Sequence, residues 1–152
     1  MSSQKDYYPP MHTAEHILNQ TMDRMFGCGR SVNAHIEKKK SKCDYKLTRI
    51  IQEDEIKLIE NKVNEIIYSN IAISEVFIPF EEASLRFNIS KLPEHVTNQV
   101  RIVQIGEYDS CPCIGPHVSN TSQIGQFQIT TWSYESEFLR LRFKLINTQY
   151  SE

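Results

Sequence analysis

The chain of 152 residues carries 17 basic against 19 acidic side chains, a formal net charge of −2, so no global field draws it to a polyanion and any nucleic acid must meet a local patch. With 39% hydrophobic and 24% charged residues it is too apolar for a disordered segment, and its length suits one domain with a core of its own. No run approaches the roughly eighteen apolar residues of a membrane span, and the first thirty positions lack a signal-peptide pattern, which gives the expectation of a cytoplasmic protein with no membrane contact.

Residues 1–11 read as an extended lead-in, because the double proline Pro9–Pro10 has no N–H to give to a helix. From about His12 to Phe26, Ile17, Leu18, Met22, Met25 and Phe26 mark a helical stripe that ends at "GCG". "SVNAHIE" and "CDYKLTRII" predict a hairpin, and "EDEIKLIENKVNEIIYS" places Ile56, Ile59, Val63, Ile66 and Ile67 at helical spacing behind three acids that suit a helix N-terminus. "IAISEVFIPF" predicts a strand stopped by Pro79 and "EEASLRF" a short helix; "VRIVQIG", "IGQFQITTWSY" and the alternating "FLRLRFKLI" predict three further strands. This order is α+β with a largely antiparallel sheet, in a single domain spanning 12–146 and followed by a tail at 147–152.

Two spacings stand out. His12 and His16, four apart in "MHTAEHIL", share one helical face, which is either a metal-binding pair or two polar residues of an ordinary amphipathic helix. Cys113 and His117 are also four apart, but Gly115 and Pro116 between them require a shaped turn. Zinc takes imidazole nitrogen and thiolate sulfur at about 2.0 to 2.3 Å in tetrahedral arrays, so the two motifs together supply a full donor set. Cys28, Cys43 and Cys111 complete the cysteines, too few for a disulfide scaffold and expected to stay reduced. The run "EKKKSKCDYKLTR" is either a solvated hairpin tip or a phosphate-binding patch.

In order along the chain, "HTAEHIL" resembles the H-x-x-x-H helix, and "CIGPHVSNTSQIG" the C-x-x-x-H turn, of the zinc-dependent editing domain shared by alanyl-tRNA and threonyl-tRNA synthetases and by small freestanding alanyl-tRNA editing proteins. "VRIVQIGEYDSCPC" is similar to the strand and acidic turn ahead of that family's cysteine, and the likeness runs from about His12 to Leu145. The C-x-G-P-H turn looks threonyl-like, whereas the size and the "HTAEHIL" and "GEYD" stretches look alanyl-like. The resemblance implies an α+β fold whose strongly curved, largely antiparallel sheet packs on two main helices. It further implies a freestanding editing domain and a zinc ion held by His12, His16, Cys113 and His117; Cys111 is expected to be a packing residue, because a free cysteine is so often buried.

The implied activity is hydrolysis of the ester of a mischarged tRNA, seryl-tRNA of alanine or threonine type, in the service of translation fidelity and without ATP. His12, His16 and His117 would then serve catalysis as well, either by His117 loosening or by a fifth position opening on the metal. Thr13, Ser31, Asn33 and Thr121 are the expected pocket residues for the serine hydroxyl, and Glu15 could orient a zinc ligand or a water. Lys38, Lys39, Lys40, Lys42, Arg140 and Arg142 are the expected phosphate contacts to tRNA. The alternative is a catalytically inactive zinc module that binds tRNA or a protein partner.

Overall fold

The computed structural model describes residues 8–89 and 98–146; the outer part of the expected lead-in, 1–7, and the expected tail, 147–152, lie outside them. Helix α1 (Pro9–Phe26) starts three residues earlier than its stripe suggests, because Pro9 and Pro10 are its first residues rather than a barrier to it. A first-turn N–H has no intrahelical acceptor, so losing it costs nothing, and the ring presets a helical φ. The helix ends where Gly27 turns left-handed at φ 65° and its N–H closes on Asp23 O at 2.7 Å.

Helix α2 (Glu53–Ile67) buries the whole predicted stripe, and Glu55 Oε1 accepts the Gln52 N–H at 3.0 Å, a cap that fixes its start. Strands β1 (Asn33–His35) and β2 (Ser41–Lys46) form the predicted hairpin, with Ala34 opposite Cys43. After α2 come β3 (Ile73–Pro79), the short α3 (Phe80–Arg86), β4 (Gln99–Ile105), β5 (Asp109–Pro112), β6 (Gln126–Glu135) and β7 (Phe138–Ile146). Strand β5 falls in the stretch that the sequence reads as a loop.

The expectation of one strongly curved sheet on two helices is corrected. The described strands form two separate open antiparallel sheets, β1-β2-β7-β6 and β3-β4-β5, and three helices accompany them. Strand β5 ends at Pro112, and the chain turns through Gly115 and Pro116 before β6. A lone bridge between Ala72 and Asn120 is the pairing left at that point.

The main core lies under the four-stranded sheet. Tyr45, Phe127, Leu139, Leu141 and Phe143 are wholly buried there with Met11, Ile17, Leu18 and Met22 of α1 and Ile59, Val63 and Ile67 of α2. Each such side chain contributes about 1.5–3 kcal/mol by leaving water. Between β3–β4 and α3 a second cluster holds Ala83, Val100 and Ile102. No described helix is long and apolar enough to cross a membrane.

Candidate metal centre

Helix α1 presents His12 and His16 one turn apart, 3% and 4% exposed, toward the turn that follows β5. That turn is tied from three sides. The Arg101 guanidinium donates through Nη1 to Cys113 O at 3.0 Å and Gly115 O at 2.8 Å, while the Cys113 N–H donates back to Arg101 O at 3.2 Å. Further along, the Val118 N–H reaches Thr13 Oγ1 of α1 at 3.2 Å. These ties bring Cys113 and His117 against the two α1 histidines, and one donor atom from each of the four lies within 4.8 Å of all the others. The ring centroids of His12 and His117 are 4.1 Å apart, and those of His16 and His117 are 4.4 Å apart.

Hydrogen bonding sets which nitrogens face inward. Pro116 O can only accept, so His12 donates to it from Nδ1 at 2.9 Å, which leaves the lone pair of Nε2 facing Cys113 Sγ at 3.4 Å. Thr13 Oγ1 has one proton, given to Pro9 O at 3.0 Å, so its 2.9 Å contact with His117 Nδ1 is one in which the imidazole donates. His117 Nε2 therefore keeps a lone pair, is buried, and meets no hydrogen-bond partner among the described residues; His16 Nδ1 shares the last two properties. The carboxylate Oδ2 of Asp109 stands 3.7 Å from His16 Nδ1, beyond hydrogen-bond length.

The charges are as specific as the geometry. Burial alone would raise the Cys113 thiol, but the surrounding His117, His12 and His16 outweigh it and draw it down to about 3. Burial lowers His117 to about 4 and keeps it neutral. For His16 burial again pulls down, yet Asp109 and the Cys113 thiolate outweigh it and raise the imidazole to about 9. Burial pushes the neighbouring Cys111 up to about 12, and it stands outside the four-donor cluster. Three imidazoles and one thiolate, once His16 gives up its proton, fit a transition-metal ion: such a donor set suits one, and the buried Nε2 of His117, which meets no hydrogen-bond partner among the described residues, is costly without one.

A supporting layer escaped the sequence reading. Asp109 is buried, receives Arg30 Nη1 at 2.9 Å and Nη2 at 3.3 Å, and accepts Gln20 Nε2 at 2.8 Å. Burial opposes its charge, but His16 and Arg30 hold the carboxyl far below the usual carboxylate range. A carboxylate behind a histidine aligns the ring and raises its basicity. The acid of "GEYD" was the one available signal, and nothing in its spacing pointed to Gln20 or Arg30. Glu15 Oε1 lies 3.9 Å from His12 Nε2, beside the cluster.

Among the expected pocket residues, Thr13 touches the cluster but spends its hydroxyl on Pro9, His117 and Val118. Thr121 is buried, its oxygen taken by the Ile71 N–H at 2.9 Å. Ser31 is buried with its N–H on Asn19 Oδ1, and Asn33 is exposed on β1. The expected cations gather elsewhere. Lys38, Lys39 and Lys40 sit at the β1–β2 tip, and Lys42 pairs with Arg142 across β2–β7. Strand alternation puts Lys42 and Arg142 on the sheet face away from Tyr45, whose hydroxyl meets Asn19 of α1 at 2.6 Å. Arg140 is held by Asp44 at 2.7 Å and 3.0 Å.

Residues 100–142 match a family model described as the threonyl and alanyl tRNA synthetase second additional domain. The chain is 33% identical over 129 residues to an alanine–tRNA ligase of Rickettsia massiliae, covering 80% of this chain and 14% of that protein. It is 31% identical over 130 residues to that of Fervidobacterium nodosum, covering 85% and 15%. Against that of Geobacillus thermodenitrificans it is 33% identical over 125 residues, covering 80% and 14%. The chain thus spans about one seventh of the length of these relatives.

Proposed function

We propose, for a chain homologous to the additional, editing-like domain of threonyl- and alanyl-tRNA synthetases, that it hydrolyses the ester of a mischarged tRNA in the cytoplasm, with zinc held by His12, His16, Cys113 and His117. The substrate of this reading is seryl-tRNA of alanine or threonine type. One observation carries it: the buried Nε2 of His117, which meets no hydrogen-bond partner among the described residues, inside a nest of four donors. When bound, zinc supplies a Lewis acid for the ester carbonyl.

The chain's own residues do the rest. Pro116 O and Thr13 Oγ1 hold the outer nitrogens of His12 and His117, so that both rings keep their lone pairs inward. Asp109, braced by Arg30 and Gln20, holds His16. Glu15, beside His12, is the carboxylate placed to take a proton from the attacking water. Lys39 and Lys40 at the β1–β2 tip, with Lys42 and Arg142 on the outer sheet face, meet phosphates of the tRNA, which makes binding weaken as salt rises.

A second reading, a zinc module that binds without hydrolysing, draws on the same four donors, since four protein ligands are the mark of a closed structural site. Zinc content and deacylation of seryl-tRNA, bearing alanine or threonine identity, separate the two in the wild type and in His12→Ala. The hydrolase reading expects one zinc per chain, deacylation in the wild type, and loss of both in the variant. Zinc without deacylation leaves the binding module, and no zinc defeats both.

A further inference from the structure

Each open sheet leaves an edge strand on either side, and among the described strands three of these edges are blunted. Strand β1 is three residues long beside the lysine tip, and β5 is four. On β6 the N–H groups of Phe127 and Ile129 are taken by Asn64 and Glu60 of α2, and a bulge follows Ile129. Short, covered or bulged edges resist pairing with another chain. Strand β3, by contrast, keeps seven residues in unbroken register with β4. The Gly106 N–H reaches Ala72 O at 3.3 Å, and on the far side of β4 the Cys113 N–H reaches Arg101 O at 3.2 Å, so β4 turns its even-numbered residues to β3 and its odd-numbered ones to β5. Ser74, Val76 and Ile78 therefore bond inward, while Glu75 and Phe77 turn their N–H and C=O groups outward, where they meet no partner among the described residues. Ile73 also faces out, but its N–H is held by Ser119 O at 2.9 Å, and Pro79 has no N–H.

We infer that the β3 edge pairs with the same edge of a second copy of this chain, antiparallel about a two-fold axis at Val76, joining two three-stranded sheets into one. In that register Glu75 lies opposite the partner's Phe77 and Phe77 opposite the partner's Glu75, so every outward N–H of these residues meets an outward C=O. The next pair along sets Ile73 against the partner's Pro79, neither with an N–H to give, and the ladder closes there. An edge matched to itself residue for residue about its own centre singles out a second copy as the occupant. Val76, 40% exposed, meets the partner's Val76 at a non-hydrogen-bonded position, where side chains come closest. It shares a sheet face with Ile78, Val100 and Ile102, so the pair extends the small buried cluster into its counterpart. Phe77, 56% exposed, lies on the other face, diagonal to the partner's Phe77. Charge favours the register as well: Glu75 is neutralised by Arg101 and meets no second Glu75 across the axis. The contact is small, which places it among weak, reversible dimers.

Sedimentation equilibrium and hydrogen exchange on the full chain, supplied with zinc, test the assignment together. A monomer–dimer equilibrium is expected, with exchange at the amides of Glu75 and Phe77 slowing as concentration rises. Phe77→Pro removes the ring and an outward N–H, a change that an edge strand tolerates, so it should weaken dimerisation about tenfold with zinc content and amide dispersion unchanged. Val76→Lys, which sets two ammonium groups against each other across the axis, should abolish the dimer, and Val76→Ile should keep it. The inference is overturned if the chain stays monomeric at every concentration, or if the Glu75 and Phe77 amides are as protected in dilute solution as in concentrated. It is equally overturned if the amides protected on association lie elsewhere, or if the dimer survives both Phe77→Pro and Val76→Lys. None of these readouts needs tRNA, so the outcome is independent of the hydrolase reading.

Discussion

The four-stranded and three-stranded sheets differ most in what covers them. Strands β2, β6 and β7 lay Tyr45, Phe127, Leu139, Leu141 and Phe143 under two helices, so that sheet is held by apolar burial. Among the described residues, the buried cluster between β3–β4 and α3 is Ala83, Val100 and Ile102; Ile105 of β4 reaches the main core, and the joints of the small sheet to α1 include several polar ones. One stripe of α1 makes those joints: His12 and Thr13 reach the metal turn, His16 and Gln20 face Asp109, and Arg24 donates to Tyr108 O at 2.8 Å. These positions are about four apart, one face of the helix. The lesson is that α1 is an apolar core helix on one side and a polar clasp on the other, and the candidate metal cluster is the centre of the clasp.

The sharpest way to break the contrast is to take the metal away. Metal-binding free energy is folding free energy for whatever the ion joins, so Cys113→Ala or chelation should speed hydrogen exchange in β3–β5 at least tenfold. The amides of β2 and β7 should hold; equal acceleration in both sheets would contradict the clasp. A smaller effect belongs to Asp109→Asn, which removes the charge behind His16 and leaves Arg30 without its carboxylate. A metal titration should show roughly 10- to 100-fold weaker binding.

On the large sheet the same probes should reverse. Tyr45→Phe removes the hydroxyl that reaches Asn19 and should cost about 1 kcal/mol in denaturant unfolding, with metal affinity unchanged. The smallest effect lies on the outer face. Arg140 holds the Asp44 carboxyl below its ordinary 3.8, so this pair stabilises above that value and its contribution is lost as pH falls through the lowered one. Asp44→Asn should therefore make acid unfolding less steep and leave zinc content unaltered.

Periodicity made the large sheet and α2 legible. Leu139, Leu141 and Phe143 alternate with Arg140, Arg142 and Lys144, and Ile56, Ile59, Val63, Ile66 and Ile67 repeat by turns of a helix; the structure buries both sets as patterned, because each pattern is a one-dimensional image of one face. The four donors were legible for a similar reason, since each pair sits within one turn of chain. Sheet division was not, because which strands pair depends on how far a ladder runs past Pro112, and alternation within a strand is silent on its partner. The first turn of α1 was misjudged from Pro9 and Pro10 because a proline that would break a helix interior is at home at its start. Arg30, Gln20 and Asp109 are drawn from α1, the link after it and β5, so only folding makes them one group.

X-ray absorption on the metal-loaded chain tests the central claim most directly, because it reads what surrounds the ion without reference to activity. One zinc per chain with a shell of one sulfur and three nitrogens, losing its sulfur in Cys113→Ala, is the predicted result. A chain that holds no zinc, or whose zinc has no sulfur ligand, would contradict it.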